Sequence, residues 1–347
     1  MGDPEGLDLD RLRPFFAEHI DEANGGPLTA ELIAGGRSNL TYRVTDGEHR
    51  WVLRRPPLGH VLPTAHDMNR EHRVMTALAP TDVPVPRTRA NCEDADLIGA
   101  PFYVMDEVDG IILRNAEDLA GLPPDTAAAC GEQLVDVLAR IHQVDYEAVG
   151  LGDFGRPDGF LERNLNRWRT QWDKNKAADL PAIDEIGRRL HASRPESGPS
   201  AIVHGDYRLD NTMLAPDDPG RIVAVLDWEM STLGDPLTDV GLLLVYWGRS
   251  GDDAVNRPDS TTAPGFLTTD QVVARYADVS GRSVDHLDFY VVFAYYKLAI
   301  IIEGIAARYR MGKTLGEGFE AMGAIVQSLV DRALEVADSS PTPALRG

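Results

Sequence analysis

Cysteine is scarce in this chain, since its 347 residues include only Cys92 and Cys130. Neither of them lies near a second cysteine or a histidine at the spacing of a metal site. We therefore expect neither a disulfide framework nor a cysteine metal centre, but two reduced thiols of the kind found in a reducing compartment.

Basic residues are outnumbered and unevenly distributed. The 34 lysines and arginines face 55 acidic residues, which gives a formal net charge of −21. A protein that binds a nucleic-acid duplex needs a basic footprint, and the chain as a whole has the opposite charge. Lysine is rare, and the first 173 residues contain none; the lysines are Lys174, Lys176, Lys297 and Lys313.

Long hydrophobic runs are also missing. The longest apolar run, residues 289–302, contains Lys297 and is too short to span a bilayer, so we interpret it as a buried helix. The N-terminus is acidic and lacks the basic and apolar regions of a signal peptide. We expect a cytoplasmic protein without a membrane partner.

The chain divides into a strand-rich part and a helical part. Between residues 28 and 55 apolar and polar residues alternate on both sides of an Asp-Gly turn. Residues 102–108 form a further predicted strand, and helical spacing dominates afterwards, as in residues 125–143. The order predicts an α+β fold with a helical extension at 1–27, a strand-rich lobe at 28–108, a mainly helical lobe at 109–338 and a disordered tail at 339–347.

The richest segment of the second lobe, residues 202–211, reads IVHGDYRLDN. It delivers His204 and Asp206 after an apolar strand, and Asn211 follows five residues after the aspartate. A second apolar stretch ends at Asp227. Phosphoryl transfer needs one carboxylate to take the proton of an acceptor hydroxyl and oxygen ligands for Mg²⁺, so this pattern suits that chemistry. Taken alone, the His-Gly-Asp turn also fits a capped surface turn.

With these residues the chain resembles the aminoglycoside phosphotransferase and choline kinase family, distant relatives of protein kinases, over roughly residues 28–330. The segments at 35–42, 52–57 and 204–211 are similar to one subgroup, the kinase-like domains associated with acyl-CoA dehydrogenases. The resemblance implies a protein-kinase-like two-lobed fold, with a small antiparallel-sheet N-lobe and a larger, mainly helical C-lobe. It also implies ATP and Mg²⁺ as cofactors.

The resemblance also implies roles for the second-lobe residues. Asp206 is then the catalytic base, and Asn211 with Asp227 forms the magnesium site. His204 belongs to the catalytic loop and suits a bracing role. Arg208 stands where protein kinases often carry a phosphate-contacting lysine, so either a phosphate contact or a surface ion pair is expected.

A glycine-rich turn in the first lobe has the composition of a phosphate cradle. Its residues Gly35, Gly36, Ser38 and Asn39 lie between two predicted strands. Glycines let the backbone approach phosphates closely, and the exposed N–H groups bind anions. A plain hairpin turn is the alternative interpretation.

A kinase-like N-lobe also needs a strand cation for the ATP phosphates and a helix glutamate paired with it. No lysine is available, so Arg54 takes the first place by position, with Arg55, on the opposite face of the predicted strand, as a substitute. Glu71 takes the second place, unless it is an exposed helix charge. The backbone at Asp106, Glu107 and Val108 is expected to read the adenine edge.

The sequence gives less information about the acceptor, the molecule whose hydroxyl would receive the phosphoryl group. Residues 160–176 carry an apolar stripe and a basic stripe at helical spacing, and the basic stripe includes Arg163 and Arg167. This is either an ordinary amphipathic helix or a site for an anionic acceptor such as a coenzyme A thioester. The subgroup implies hydroxyacyl-CoA chemistry; a small amino-alcohol or aminoglycoside kinase and a nucleotide-binding pseudokinase are the alternatives. The sequence does not indicate an oligomeric state.

Overall fold

The structure is a computed structural model. It describes residues 3–33, 39–58, 66–114, 116–119, 121–177, 179–247, 261, 263–310 and 322–347. The elements follow the predicted order, with a sheet first and helices after it. The boundaries 28–108 and 109–338 for the two lobes stay a prediction.

The N-lobe is built on an antiparallel sheet of five strands: β1 (Thr29–Leu32), β2 (Leu40–Thr45), β3 (Arg50–Arg55), β4 (Thr88–Cys92) and β5 (Phe102–Asp106). They lie in the order β1-β2-β3-β5-β4. The predicted hairpin joins β2 to β3, where the Asp46 carboxylate accepts hydrogen bonds from the backbone N–H groups of Glu48 and His49. Gly47 has a φ of 95°, a conformation that favours glycine in tight turns.

Two helices, α1 (Leu9–His19) and α2 (Met68–Leu78), cover opposite faces of the sheet. Phe16 on α1 packs its ring 5.5 Å from that of Trp51 on β3. Side chains alternate along a strand, so Val52 and Arg54 point to the other face, towards α2. This alternation directs Arg54 into the interior between the lobes.

The C-lobe is mainly helical. Its helices are α3 (Ala116–Leu119), α4 (Pro124–Gln143), α5 (Phe160–Asn175), α6 (Pro181–Ala192), α7 (Leu237–Tyr246), α8 (Thr269–Ser280), α9 (Leu287–Arg310), α10 (Met322–Ser339) and α11 (Pro343–Arg346). Two short antiparallel pairs carry the loops of interest: β6 (Ala201–Val203) with β9 (Thr232–Gly234), and β7 (Thr212–Leu214) with β8 (Ile222–Val225). Turns of 3-10 helix span Leu209–Asn211 and Trp228–Met230.

Helix α9 runs through the core of the C-lobe. Its 24 residues are long and apolar enough to cross a membrane by length and composition, but 78% of its most apolar stretch is buried in the protein. Helix α7 packs against it at Gly241, where an added Cβ would lie 2.5 Å from the carbonyl oxygen of Tyr290. This close approach fixes α7, which carries Asp239, against the core.

The C-terminal segment differs from the predicted disorder of residues 339–347. Ser340 is 2% exposed and Leu345 is fully buried, and Pro343 begins helix α11. Proline suits the first helical position because it has no N–H to leave unsatisfied there. One leucine anchor in a polar stretch is enough to dock the segment, and the composition did not reveal it.

Candidate active site

The loop after β6 is held by a buried carboxylate. Asp239 accepts hydrogen bonds from the backbone N–H groups of His204, at 2.6 Å, and of Gly205, at 2.8 Å. His142 lies 3.3 Å from the same carboxylate. Burial alone would raise the pKa of Asp239, but the hydrogen bond with His142 and the charge of its neighbours outweigh burial and lower it. Asp239 therefore anchors the loop as an ion.

His204 braces this loop and does not face the cavities with its ring nitrogens. Its Nε2 donates to the carbonyl oxygen of Leu226 at 2.9 Å, and its Nδ1 accepts from the N–H of Asp206 at 3.2 Å. The ring also packs on Trp228, with 4.7 Å between the centroids. The loop and the segment before Asp227 are thus tied together, as the predicted bracing role requires.

Asp206 is partly exposed and has its orientation fixed by Asn211. The Asn211 Nδ2 donates to the Asp206 backbone carbonyl at 2.8 Å and to its Oδ2 at 3.1 Å. The Tyr246 hydroxyl lies 3.4 Å from the other carboxylate oxygen. The Asp206 side chain is 26% exposed, so part of it is open to solvent.

Arg208 forms the ion pair that was one of its two predicted alternatives, and a phosphate contact stays a prediction. Its Nε forms an ion pair with Asp210 at 2.9 Å, and its guanidinium lies 4.9 Å from the ring centroid of Tyr246. It also lines the smaller of two cavities beside the loop. Burial would lower the pKa of Arg208, but the charge of Asp206 above all outweighs it and raises the pKa.

Asp227 and Asn211 lie on one wall of this smaller cavity, which has a volume of about 560 Å³. Asp227 adopts a φ of 63°, which is uncommon for a residue other than glycine. The next residue back in the chain, Leu226, donates its N–H to the carbonyl oxygen of Asn211 at 2.8 Å. Asn211 therefore contacts both Asp206 and the segment that delivers Asp227, so the three predicted residues converge.

The donor set of this wall fits a magnesium ion. Asn211 turns its Nδ2 towards Asp206, so the oxygen lies at the other end of the amide, and Asp227 adds a carboxylate. Mg²⁺ is commonly held by one or two side-chain oxygens together with phosphates and water. Within the described ranges, no three His, Cys, Asp or Glu side chains are grouped to hold a metal.

Arg54 and Glu71 form a buried ion pair at the inner end of the smaller cavity. The Arg54 Nε lies 3.3 Å from Glu71 Oε2, and its Nη2 bonds Asp227 Oδ1 at 2.6 Å. The Tyr103 hydroxyl donates to the Glu71 carboxylate at 3.0 Å. Burial raises the pKa of Glu71 to about 7, against the opposing charge of Arg54. Arg54 thus has the cation position that the sequence predicted, and Glu71 is not an exposed charge.

Arg55, the substitute considered for Arg54, lies on the opposite face of the sheet. It donates to the carbonyl oxygens of Gly6 and Ile98, and its residue exposure is 4%. Its donors tie the segment around Gly6 to the sheet. Arg54 alone of this pair reaches the cavity.

The hinge residues Asp106, Glu107 and Val108 line the same cavity. The two acidic side chains are paired with arginines, because Arg89 binds Asp106 and Arg43 donates to Glu107 at 2.6 Å. These ion pairs neutralise the acidic charges at the place where the sequence predicts that the backbone contacts the adenine edge.

The predicted glycine-rich turn is described only at its end. Gly35, Gly36 and Ser38 lie outside the described residues. Asn39 is 3% exposed and donates its Nδ2 to Glu71 at 3.0 Å and to Glu229 at 3.1 Å. Its side chain therefore connects α2 with the segment after Asp227, a contact that the sequence pattern did not indicate.

A second, larger cavity of about 1090 Å³ lies on the other side of the catalytic loop and is bordered by α5 and α9. Gly205 and Asp239 form part of its wall. Its basic residues outnumber its acidic ones, although the chain has a net charge of −21. The basic residues are Arg70, Arg156, Arg163, Arg167, Lys174 and Lys297, and the acidic ones are Asp67, Glu229 and Asp239.

The predicted stripes of α5 lie on different sides of the helix. Leu161, Leu165, Trp168 and Trp172 are buried in the core, as the helical spacing indicates. Arg163 and Arg167 both line the larger cavity. Arg163 donates to the backbone carbonyls of residues 156 and 158, whereas Arg167 forms no ion pair with a described residue.

Lys297 is a wall residue of the larger cavity that the sequence analysis missed. Its Nζ donates to the carbonyl oxygen of Gly205, directly before Asp206, at 2.7 Å. The available signal was a single lysine inside an apolar helix, and we interpreted it only as an interruption of the run.

Comparison with known proteins identifies the family. A family model described as "Phosphotransferase enzyme family" matches residues 29–263. A solved structure of a candidate aminoglycoside phosphotransferase from Ralstonia eutropha is 33% identical, with a TM-score of 0.81, and the match covers 94% of this chain and 98% of that one. The chain belongs to the phosphotransferase enzyme family. The predicted kinase-like, two-lobed α+β fold is confirmed.

Other known proteins are similar to this chain in fold or in sequence. Choline kinase from Cryptosporidium parvum is 12% identical with a TM-score of 0.64 over 95% of each chain, which shows the fold alone. The curated relatives include mouse acyl-CoA dehydrogenase family member 10, 33% identical over 94% of this chain and 31% of its own length. Chicken family member 11 is 33% identical over 90% of this chain and 40% of its own length. The chain thus spans less than half of these relatives, and the predicted subgroup is confirmed.

Proposed function

We propose that this phosphotransferase is a small-molecule kinase that moves the γ-phosphoryl group of ATP to a hydroxyl of an anionic acceptor, a hydroxyacyl-CoA. The observation that carries the proposal is that residues adjoining Asp206 line both cavities. Its neighbour Gly205 lines the larger, basic cavity, and its hydrogen-bond partner Asn211 lines the smaller one. A base at this point has access to an acceptor on one side and a nucleotide on the other.

In this proposal the smaller cavity takes the nucleotide. Arg54 holds the phosphates together with the predicted glycine-rich residues Gly35, Gly36, Ser38 and Asn39, since a guanidinium binds phosphate oxygens bidentately. The backbone of residues 106–108 faces the adenine edge. Asn211 and Asp227 hold Mg²⁺, which when bound neutralises the charge that spreads over the phosphoryl oxygens.

Asp206 acts on the acceptor. Its carboxylate accepts the hydroxyl proton while the acceptor oxygen forms a bond to the γ-phosphorus, and the bond from that phosphorus to the β–γ bridging oxygen breaks to release ADP. Asn211 keeps the carboxylate oriented, and His204 and Asp239 keep the loop rigid. Arg208, beside Asp206, offers positive charge to the transferred group.

The larger cavity favours an anionic acceptor over a cationic one. Six basic side chains against three acidic ones would repel a polycationic aminoglycoside or an amino alcohol. The relatives' name, acyl-CoA dehydrogenase, links such a domain to acyl-CoA compounds, which carry phosphates as well as a thioester. A hydroxyacyl-CoA unites the anionic groups with the hydroxyl that the reaction needs, and a cytoplasmic location would supply ATP.

A nucleotide-binding pseudokinase is the second candidate. It is favoured by an arginine in the strand position and by the bond of Arg54 to Asp227, a proposed metal ligand, at 2.6 Å. In such a protein ATP would bind without turnover. The presence of Asp206 and Asn211 in bonded geometry favours the kinase.

The proposal is tested by measuring ATP consumption and acceptor phosphorylation with Mg²⁺ across hydroxyacyl-CoAs, aminoglycosides, amino alcohols and sugars. We expect phosphorylation of a hydroxyacyl-CoA, with kcat/KM at least tenfold above the other classes. Preference for a cationic acceptor would contradict the anionic class. ATP binding without turnover of any class would support the pseudokinase instead.

A further inference from the structure

Lys297 is the only charged residue of α9 between Asp288 and Glu303. Its side chain is partly buried, and burial lowers its pKa against the opposing charges of Asp206 and Asp239. A buried lysine is costly unless its donors are used, so its presence in an apolar helix needs a reason. Its bond to the Gly205 carbonyl uses one of three N–H donors.

The surroundings of Lys297 in the larger cavity present donors. Trp168 lies beside it, with the Lys297 Nζ 6.0 Å from the ring centroid, and Arg167 approaches the same indole at 5.3 Å. Trp168 is 4% exposed, and its Nε1 has no hydrogen-bond partner among the residues that the structure describes. The two cations beside this indole favour a ligand group that accepts hydrogen bonds.

We propose that Lys297 determines the acceptor specificity of the site by binding a carbonyl or carboxylate oxygen of the acceptor. This inference rests on the proposed kinase function. Because Lys297 also bonds the residue directly before Asp206, the oxygen it binds lies a few bonds from the hydroxyl that Asp206 deprotonates. In a hydroxyacyl-CoA this oxygen is the thioester carbonyl, and in a free hydroxy acid it is the carboxylate.

The test compares Lys297→Met with wild type on a hydroxyacyl-CoA, the corresponding free hydroxy acid and a plain alcohol of the same chain length. Lys176→Met is the matched control, because Lys176 pairs with Asp179 and does not line the cavity. We expect kcat/KM to fall about 10- to 100-fold more for the carbonyl-bearing acceptors than for the alcohol, as for a lost hydrogen bond to a charged group. A selective loss on the thioester or on the acid identifies which oxygen is bound.

An equal fall for all three acceptors would overturn the inference, because it would mean that Lys297 only holds the Gly205 carbonyl. Lys297→Arg, which keeps the charge, should recover part of the selectivity. Should Lys297→Met fail to fold, Lys297→Gln, which keeps an N–H donor for the Gly205 carbonyl but removes the charge, should reduce the same preference.

Calorimetry of hydroxyacyl-CoA binding without ATP separates the inference from the kinase proposal. Binding that weakens about 10-fold or more in Lys297→Met, in a protein that turns nothing over, would support the inference and contradict the kinase function. Turnover with equal affinity in both proteins would overturn the inference alone.

Discussion

Single residues carry the chemistry here through what they contact. Arg54 is the best case, since one side chain meets Glu71 at 3.3 Å and Asp227 at 2.6 Å, at the inner end of the proposed nucleotide cavity. A lysine would offer one ammonium to these two carboxylates, whereas a guanidinium offers separate N–H groups to each. The arginine is therefore suited to this pair and to phosphate oxygens.

Replacing Arg54 tests its proposed role. We expect Arg54→Ala to raise the KM for ATP about 10- to 100-fold, since a hydrogen bond to a charged group contributes roughly 1.5–3 kcal/mol. Arg188→Ala, on the surface of α6, is the control and should leave the KM unchanged. Steady-state kinetics with varied ATP decides; an unchanged KM in Arg54→Ala would remove Arg54 from nucleotide binding.

Glu71 gives stability a pH dependence with a definite sign. Burial raises its pKa from 4.5 to about 7, so between these values the folded protein binds more protons at this site than the unfolded chain. The free energy of unfolding therefore falls as the pH rises from about 4.5 to 7, by roughly 1–3 kcal/mol from this group. Urea unfolding across this range should show a smaller decline in Glu71→Gln. Equal declines in the two proteins would contradict the raised pKa.

Prediction of single residues from the sequence succeeded where the position along a strand fixes the direction of a side chain. Strand alternation put Arg54 on one face and Arg55 on the other, and the structure agrees. Lys297 could not be found this way, because its role depends on α9 packing beside the loop at Gly205, far away in the chain. The hydrogen bonds of Asn39 to Glu71 and Glu229 could not be found this way either, because these partners are distant in the chain.

At the scale of elements, α5 connects an ordinary amphipathic pattern to a candidate binding surface. Its apolar stripe is buried, as predicted, and its basic stripe borders the larger cavity. Arg163 is engaged with backbone carbonyls, so Arg167 is the better probe of a ligand. Arg169 lies on the same helix and pairs with Asp173, so replacing it is the control for replacing Arg167.

We expect Arg167→Gln to raise the KM for a hydroxyacyl-CoA about 3- to 10-fold while the KM for ATP stays unchanged. The effect is modest because the side chain is exposed, and exposed ion pairs contribute up to about 1 kcal/mol. Arg169→Gln should change neither constant. If both variants raise the KM for the acceptor equally, α5 is a solvated face and not an acceptor site.

Some elements resisted sequence prediction for physical reasons. Strand β4 (Thr88–Cys92) has polar residues on a half-buried strand and no clear alternation, and its pairing with β5 contains a register shift. Helix α11 depends on one buried leucine, Leu345, in a segment of otherwise disordered composition. Helix α4 was predicted to within one residue, as residues 125–143, because its apolar spacing is regular over several turns.

At the scale of the whole molecule, the larger, basic cavity and the smaller cavity lie on either side of the catalytic loop. An acidic chain with a net charge of −21 gathers basic side chains around the larger cavity, which Gly205 lines beside Asp206. The order of strands and helices was sufficient to predict the two lobes, whereas the cavities depend on how distant elements pack. The location of the catalytic loop between these cavities is therefore the part of the account that most needs a direct test.

The most direct measurement is the transfer of the γ-phosphoryl group of ATP to a hydroxyacyl-CoA by wild type, Asp206→Asn and the surface control Asp217→Asn, followed by mass spectrometry of the acceptor. We predict that Asp206→Asn keeps the thermal midpoint of wild type and loses roughly 10²- to 10⁴-fold in kcat, as for a lost general base. Asp217, whose side chain is 83% exposed, should be dispensable. Equal kcat values in wild type and Asp206→Asn would contradict the account.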